Sequence, residues 1–212
     1  MKTNLSYSIN LPASLEEGKR YPVIYAMHGM GSNEKDILST LGEIKEEFII
    51  IGIRGNITMG DGYAYFTIKG FGNPNIDSFD EAIDNIEGVI SESIEKYPID
   101  SSKRFLLGFS QGAILSMSLA LKMGNKLKGI VALSGYIPKH VKEDYEIKDV
   151  SELSVFIGHG KFDEVFPLKV GEENYKYFKE RNKAGTFNSY PVGHQISLKE
   201  KDDFIDWLRN RK

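Results

Sequence analysis

The 212-residue chain has no cysteine, which removes disulfides, thiolate nucleophiles and thiolate metal sites together. Its four histidines are scattered without ligand spacing, so no metal centre is expected. No apolar run approaches the length of a membrane-spanning helix. Charge of one sign is also missing. Lys and Arg total 27 against 30 Asp and Glu, a formal net of −3, so there is no basic footprint for nucleic acid. Residues 1–10 hold no apolar stretch of the kind a secretory leader needs, and a cytoplasmic protein is the default expectation.

What is present reads as an ordinary globular composition, 41% hydrophobic and 27% charged, in a length that suits one domain over residues 1–212. Leu5 to Leu11 alternates apolar and polar, as a half-buried strand near a sheet edge does. Tyr21 to Met27, Phe48 to Ile53, Phe105 to Leu107, Gly129 to Leu133, Ser154 to Ile157 and Thr186 to Val192 are apolar runs that read as buried strands. Between them, helical spacing marks residues after Ser32 or Asn33, Phe79 to Tyr97, the segment after Ser110, Leu168 to Arg181, and the C-terminal segment carrying Phe204 and Trp207. This alternation predicts an α/β fold with a mostly parallel sheet covered on both faces. Residues 57–78 and 137–152 show no strong periodicity. The first is rich in glycine and aromatics and is expected to be a functional loop or pocket wall; the second is short and charged, too little for a large lid.

Gly108-Phe109-Ser110-Gln111-Gly112 lies between a predicted strand and an almost wholly apolar helix. That is the context of a nucleophile elbow, where a sharp turn lifts the serine hydroxyl out of the sheet and small residues on either side let strand and helix approach. The turn also sets the Gln111 amide at a helix N-terminus, facing any oxyanion formed at Ser110. A buried Gly-Ser-Gly turn in any α/β protein reads the same, so the partners decide. An elbow serine needs a base and the base an orienting carboxylate, following in the order Ser, acid, His. His159 leaves little room for an intervening acid. His194 follows the last predicted strand, and Asp163 follows the one before it, both at the edge where open parallel sheets collect their ligands. Asp144 and Asp149 are alternative acids, though they fall in the polar connection.

The second oxyanion donor is expected from the loop after an early strand, and the Met30 amide after His28-Gly29 is the candidate. Gly29 and Gly31 do not complete a dinucleotide fingerprint, because Glu34 stands where the third glycine belongs. Nor is Gly158-His159-Gly160-Lys161 a phosphate loop, since Phe162 replaces the required Ser or Thr.

The motifs His28-Gly29-Met30-Gly31, Gly62 to Phe66, Gly108 to Gly112, Leu133 to Tyr136, Gly158 to Pro167 and Gly193-His194 run in order through nearly the whole chain. With them the sequence resembles the α/β-hydrolases, and more narrowly the phospholipase/carboxylesterase family that includes acyl-protein thioesterases. Tyr65 departs from the pattern, where tryptophan usually precedes the phenylalanine. The resemblance implies Ser110, Asp163 and His194 as a catalytic triad, Met30 and Gln111 as oxyanion donors, a carboxylic ester or thioester substrate, and no cofactor. The expected protein is a cofactor-free serine esterase acting on short to medium acyl chains. Its alternatives are an acyl thioesterase or lysophospholipase of the same family, or a hydrolase-fold binding protein without turnover. The substrate cleft is expected to be open and walled by Tyr63, Tyr65 and Phe66 of the Met59–Phe71 loop, with Tyr136, Val165 and Phe166.

Overall fold

The apolar runs become strands of one sheet. The computed structural model describes residues 4–70, 72–182 and 184–212. Its strands are β1 (Tyr7–Asn10), β2 (Tyr21–Met27), β3 (Ile49–Ile53), β4 (Ile57–Met59), β5 (Gly62–Ala64), β6 (Ile68–Gly70), β7 (Asn73–Pro74), β8 (Ile99–Phe109), β9 (Gly129–Leu133), β10 (Ser154–Gly160) and β11 (Gly185–Tyr190). Seven of them form the main sheet in the order β1-β3-β2-β8-β9-β10-β11. Only β1 runs antiparallel, pairing Tyr7 with Ile53 through Asn10 with Ile50; the remaining neighbours are parallel. Every residue of β3 and β9 is buried, as strands covered on both faces must be.

The covering helices are α1 (Glu34–Ser39), α2 (Ile76–Lys96), α3 (Gln111–Met123), α4 (Lys139–Asp144), α5 (Leu168–Lys179) and α6 (Leu198–Arg209). Strand alternation splits the core between the two faces. Val23, Tyr25 and Met27 pack with Ile83 of α2, Leu115 of α3 and Phe178 of α5. Ile24 and Ala26 pack with Ile37 of α1 and Phe204 and Trp207 of α6. Asn33 caps α1, its side chain accepting the N–H groups of Lys35 and Asp36, and Ser197 with Glu200 forms a capping box on α6.

Three stretches differ from the periodicity. The elbow strand β8 is longer than its apolar run: Ile99 pairs with Tyr21 and Arg104 with Val23, with a shift of register across the polar residues between them. Between β3 and α2, β4 pairs with β5 and β6 with β7 as two small antiparallel ladders; Phe71, expected in the pocket wall, lies outside the described residues. The connection 137–152 holds α4, a six-residue helix whose buried residues are His140 and Val141, too few to show as a period. Among the described residues no helix is long and apolar enough to cross a membrane. The carboxyl ends of β2, β8, β10 and β11 deliver His28, Ser110, Asp163 and His194 to one edge of the sheet.

Candidate active site

Ser110 sits between β8 and α3 with φ +53° and ψ −114°, a region that costs a non-glycine residue of order 1–3 kcal/mol and persists only when the surroundings enforce it. The flanking glycines do the enforcing. A Cβ on Gly108 would come within 2.1 Å of the Gly112 carbonyl, and one on Gly112 within 2.1 Å of the Met27 oxygen. The Ser110 N–H donates to Leu133 O at 2.9 Å and the Gly112 N–H to His28 O at 3.1 Å, tying the turn to both neighbouring strands.

The other two residues of the expected triad meet this hydroxyl. His194 Nε2 lies 2.9 Å from Ser110 Oγ, and His194 Nδ1 lies 2.8 Å from Asp163 Oδ2. Phe109 and Phe166 hold the imidazole from two sides, with ring centroids at 4.9 and 5.5 Å. The Asp163 side chain is wholly buried. Its Oδ1 accepts the N–H groups of Val165 at 2.9 Å and Phe166 at 2.8 Å. Burial, the largest influence, pushes its pKa up. The His194 hydrogen bond, the Phe166 and Val165 N–H groups and the nearby imidazole outweigh it and hold the carboxyl below the ordinary aspartate range. Asp144 and Asp149 are exposed, and the Asp149 carboxylate is engaged with Ser151 and Asn125 instead. His159 is fully buried and faces the Phe166 carbonyl at 2.7 Å, bracing the turn that carries Asp163.

An apolar cavity of about 250 Å³ opens at the serine, bordered by Met30, Gln111, Phe66, Tyr136, Val165 and Phe166 among others. Among the described residues no Lys, Arg, Asp or Glu borders it, and His194 is its one titratable side chain besides Tyr136. Two expected wall residues are elsewhere. Tyr63 pairs with Ser32 and lies under Arg54. Tyr65 is buried, its hydroxyl accepting the His28 N–H and donating to Ile53 O. Aromatic side chains in a loop signal burial without saying against what: Tyr65 is buried beneath Phe66 of the wall, and Tyr63 is half-buried against Arg54. The cavity also takes Ile68, Gly70, Gly72 and Ile114. Ile114, one helical turn after Ser110, could have been found from the elbow; Ile68, Gly70 and Gly72 carried no signal. The Gln111 side chain joins wall to elbow, accepting the Tyr65 N–H and donating to Phe66 O. A larger surface cleft of about 400 Å³ beside α2 is charged, and its Asp84 and Glu87 are paired with Lys122; it holds no comparable nucleophile. Among the described residues no cluster of three or more His, Asp or Glu side chains is arranged to hold a metal.

The profile of the phospholipase/carboxylesterase family matches residues 14–211. The chain belongs to this family. It is thus an enzyme of the hydrolase class, and the family's relatives agree. Acyl-protein thioesterase 1 of Debaryomyces hansenii is 32% identical over 164 residues, covering 72% of this chain and 70% of that protein. The Candida albicans protein of the same name is 27% identical over 226 residues, covering 96% of each. A carboxylesterase structure from Bacillus cereus superposes with a TM-score of 0.86 at 21% identity, covering 99% of this chain and 95% of that one. That likeness shows the α/β-hydrolase fold. Tyr65, expected from the resemblance to depart from the family pattern, carries a hydroxyl with two backbone partners.

Proposed function

We propose that this family member is a serine esterase that uses Ser110 as nucleophile, His194 as base and Asp163 as orienting acid. The observation that carries the reading is the unbroken hydrogen-bond chain from Ser110 Oγ through His194 to the buried Asp163 carboxylate, at the mouth of an apolar cavity. As Ser110 Oγ attacks the acyl carbon, its proton passes to His194 Nε2, and the carbonyl π pair moves onto oxygen. The Gln111 N–H, at the start of α3, and the Met30 N–H stabilise that oxyanion. Collapse expels the alcohol oxygen, which takes the proton from Nε2 and leaves an acyl-serine. Water, deprotonated by the same nitrogen, then releases the acid and restores Ser110. Asp163 stays ionised throughout; its low pKa and buried hydrogen bonds support this role.

The cavity suits an uncharged acyl group of short to medium length: about 250 Å³ falls below the range of about 300–1,000 Å³ usual for drug-sized ligands. A thioester substrate is the second reading, favoured by the acyl-protein thioesterases among the relatives. The same steps apply, with a thiolate leaving. The enzyme is proposed to work as one domain in the cytoplasm without a cofactor. The test is a fluorophosphonate probe, with labelling mapped by mass spectrometry, beside turnover of p-nitrophenyl butyrate and a butyryl thioester. Labelling at Ser110, abolished together with turnover in Ser110→Ala, is the expected result. A folded Ser110→Ala protein with wild-type-like rates would end this mechanism.

A further inference from the structure

His28, at the end of β2, is buried and lies behind the cavity wall. Its ring makes two hydrogen bonds that together settle its protonation. Nε2 faces the Gly55 N–H at 3.1 Å. A backbone N–H only donates, so Nε2 is the acceptor and Nδ1 carries the proton. Nδ1 lies 2.7 Å from the Gly29 carbonyl and donates to it. Burial, the largest influence, pushes the His28 pKa down, which favours the neutral ring this pattern needs.

The bond to Gly29 acts through a peptide plane. No peptide among the described residues is cis, and in a planar trans peptide the C=O and N–H point opposite ways. Holding the Gly29 carbonyl against the imidazole therefore turns the Met30 N–H away from it. Met30 borders the cavity with Ser110 and Gln111. The Gly29 carbonyl also accepts the Ser32 N–H, at the longer distance of 3.2 Å, so the imidazole makes the shorter of its two bonds. The rest of the loop is tied down on either side: the His28 N–H donates to the Tyr65 hydroxyl at 3.1 Å, the Gly31 N–H to Tyr63 O at 2.9 Å, and the Tyr63 N–H to Ser32 O at 2.8 Å. Among the described residues no such partner holds the Met30 N–H.

We propose that His28 is a positioning residue: in its Nδ1–H tautomer it clamps the Gly29–Met30 peptide so that the Met30 amide is aimed in advance at the oxyanion. The inference rests on the esterase reading of Ser110 and Met30 given above. His28 touches no reacting atom; it acts through one peptide group, and its effect is therefore confined to the charge that develops in the transition state.

Two variants separate the ring's two bonds. In His28→Asn the side-chain amide reaches roughly the place of Nδ1 and keeps a donor for Gly29 O. In His28→Gln it reaches the place of Nε2 and keeps only the Gly55 contact. With p-nitrophenyl butyrate, His28→Asn is expected to stay within about tenfold of the wild-type kcat, and His28→Gln to lose on the order of 10²-fold with KM little changed. Affinity for an alkylboronic acid, which forms a tetrahedral anionic adduct on serine, should fall in step with kcat/KM across the pair. Wild-type-like kcat in His28→Gln, or a loss confined to KM, overturns the proposal. Should either variant melt early, the wild-type protein decides. Long-range ¹H–¹⁵N spectra of the histidine rings should show His28 protonated at Nδ1 over the whole range of folded pH, and an Nε2–H ring at His28 overturns the clamp. Absence of labelling at wild-type Ser110 would instead count against the esterase reading, while the tautomer measurement still judges His28.

Discussion

Asparagine at position 163 tests the proposed acid with almost no change of shape. Asp163 Oδ1 accepts two backbone N–H groups, from Val165 at 2.9 Å and Phe166 at 2.8 Å. These can only donate, so an asparagine must leave its carbonyl oxygen there and turn its NH₂ toward His194. At the 2.8 Å separation now occupied by the Nδ1–H bond, two donors would meet unless the ring changes tautomer. The proton then sits on Nε2, which offers Ser110 Oγ an N–H where the base needs a lone pair. The base is lost while its position is kept. The expected cost is on the order of 10³ to 10⁴ in kcat, about 4 to 5.5 kcal/mol of transition-state stabilisation. Initial rates on p-nitrophenyl butyrate, with thermal melts to establish folding, measure it. Asp149→Asn is the control: it changes an exposed carboxylate bonded to Ser151 and Asn125, and its rate should match the wild type within about twofold. An Asp163→Asn enzyme within tenfold of wild type, or equal damage from Asp149→Asn, would refute the assignment.

Two further outcomes concern stability and specificity. Burial pushes the Glu200 carboxyl up from 4.5 to about 7, opposed by the Ser197 N–H. Its protonated form therefore contributes stability that is present below about pH 4.5 and lost as pH rises through about 7. Glu200→Gln should gain on the wild type between those limits, by at most about 3 kcal/mol; a Tm difference independent of pH would contradict this. Among p-nitrophenyl esters, kcat/KM should peak between acetate and octanoate, since each buried methylene adds only about 0.8 kcal/mol and the cavity soon ends. Ile114→Phe, which fills part of that cavity, should move the peak to shorter chains; an unmoved optimum would place the acyl group elsewhere.

The strands and the elbow were legible in the sequence because local sterics or continuous burial dictate them. Ile49 to Ile53 is apolar throughout because helices cover both its faces. The glycines at 108 and 112 are imposed by contacts near 2 Å, which leave no room for a side chain of any kind. Order along the chain then limited the base and acid to a few strand ends. The short helix α4 escaped because His140 and Val141 alone reach its buried side, and two residues make no period. The strands β4 to β7 escaped for a related reason: they are only two or three residues long.

Of the expected pocket wall, Phe66, Tyr136, Val165 and Phe166 border the cavity, and the displacement of Tyr63 and Tyr65 has a different cause. Whether an aromatic ring faces a cavity or the layer beneath it depends on what a distant element supplies, and here that element is the loop after β2. Tyr65 points inward because His28 and Ile53, far away in sequence, present a donor and an acceptor that its hydroxyl can join. A phenylalanine there would bury the same ring and leave both backbone groups without this partner, at a cost of about 1–3 kcal/mol for each buried group left unpaired. Phe66, one residue on, faces the cavity because the Gln111 side chain grips the backbone on both sides of the Tyr65–Phe66 peptide. The residue whose amide is proposed to bind the oxyanion thus also sets, through its side chain, which neighbouring aromatic the substrate meets. A change at Gln111 would therefore disturb rate and acyl preference together.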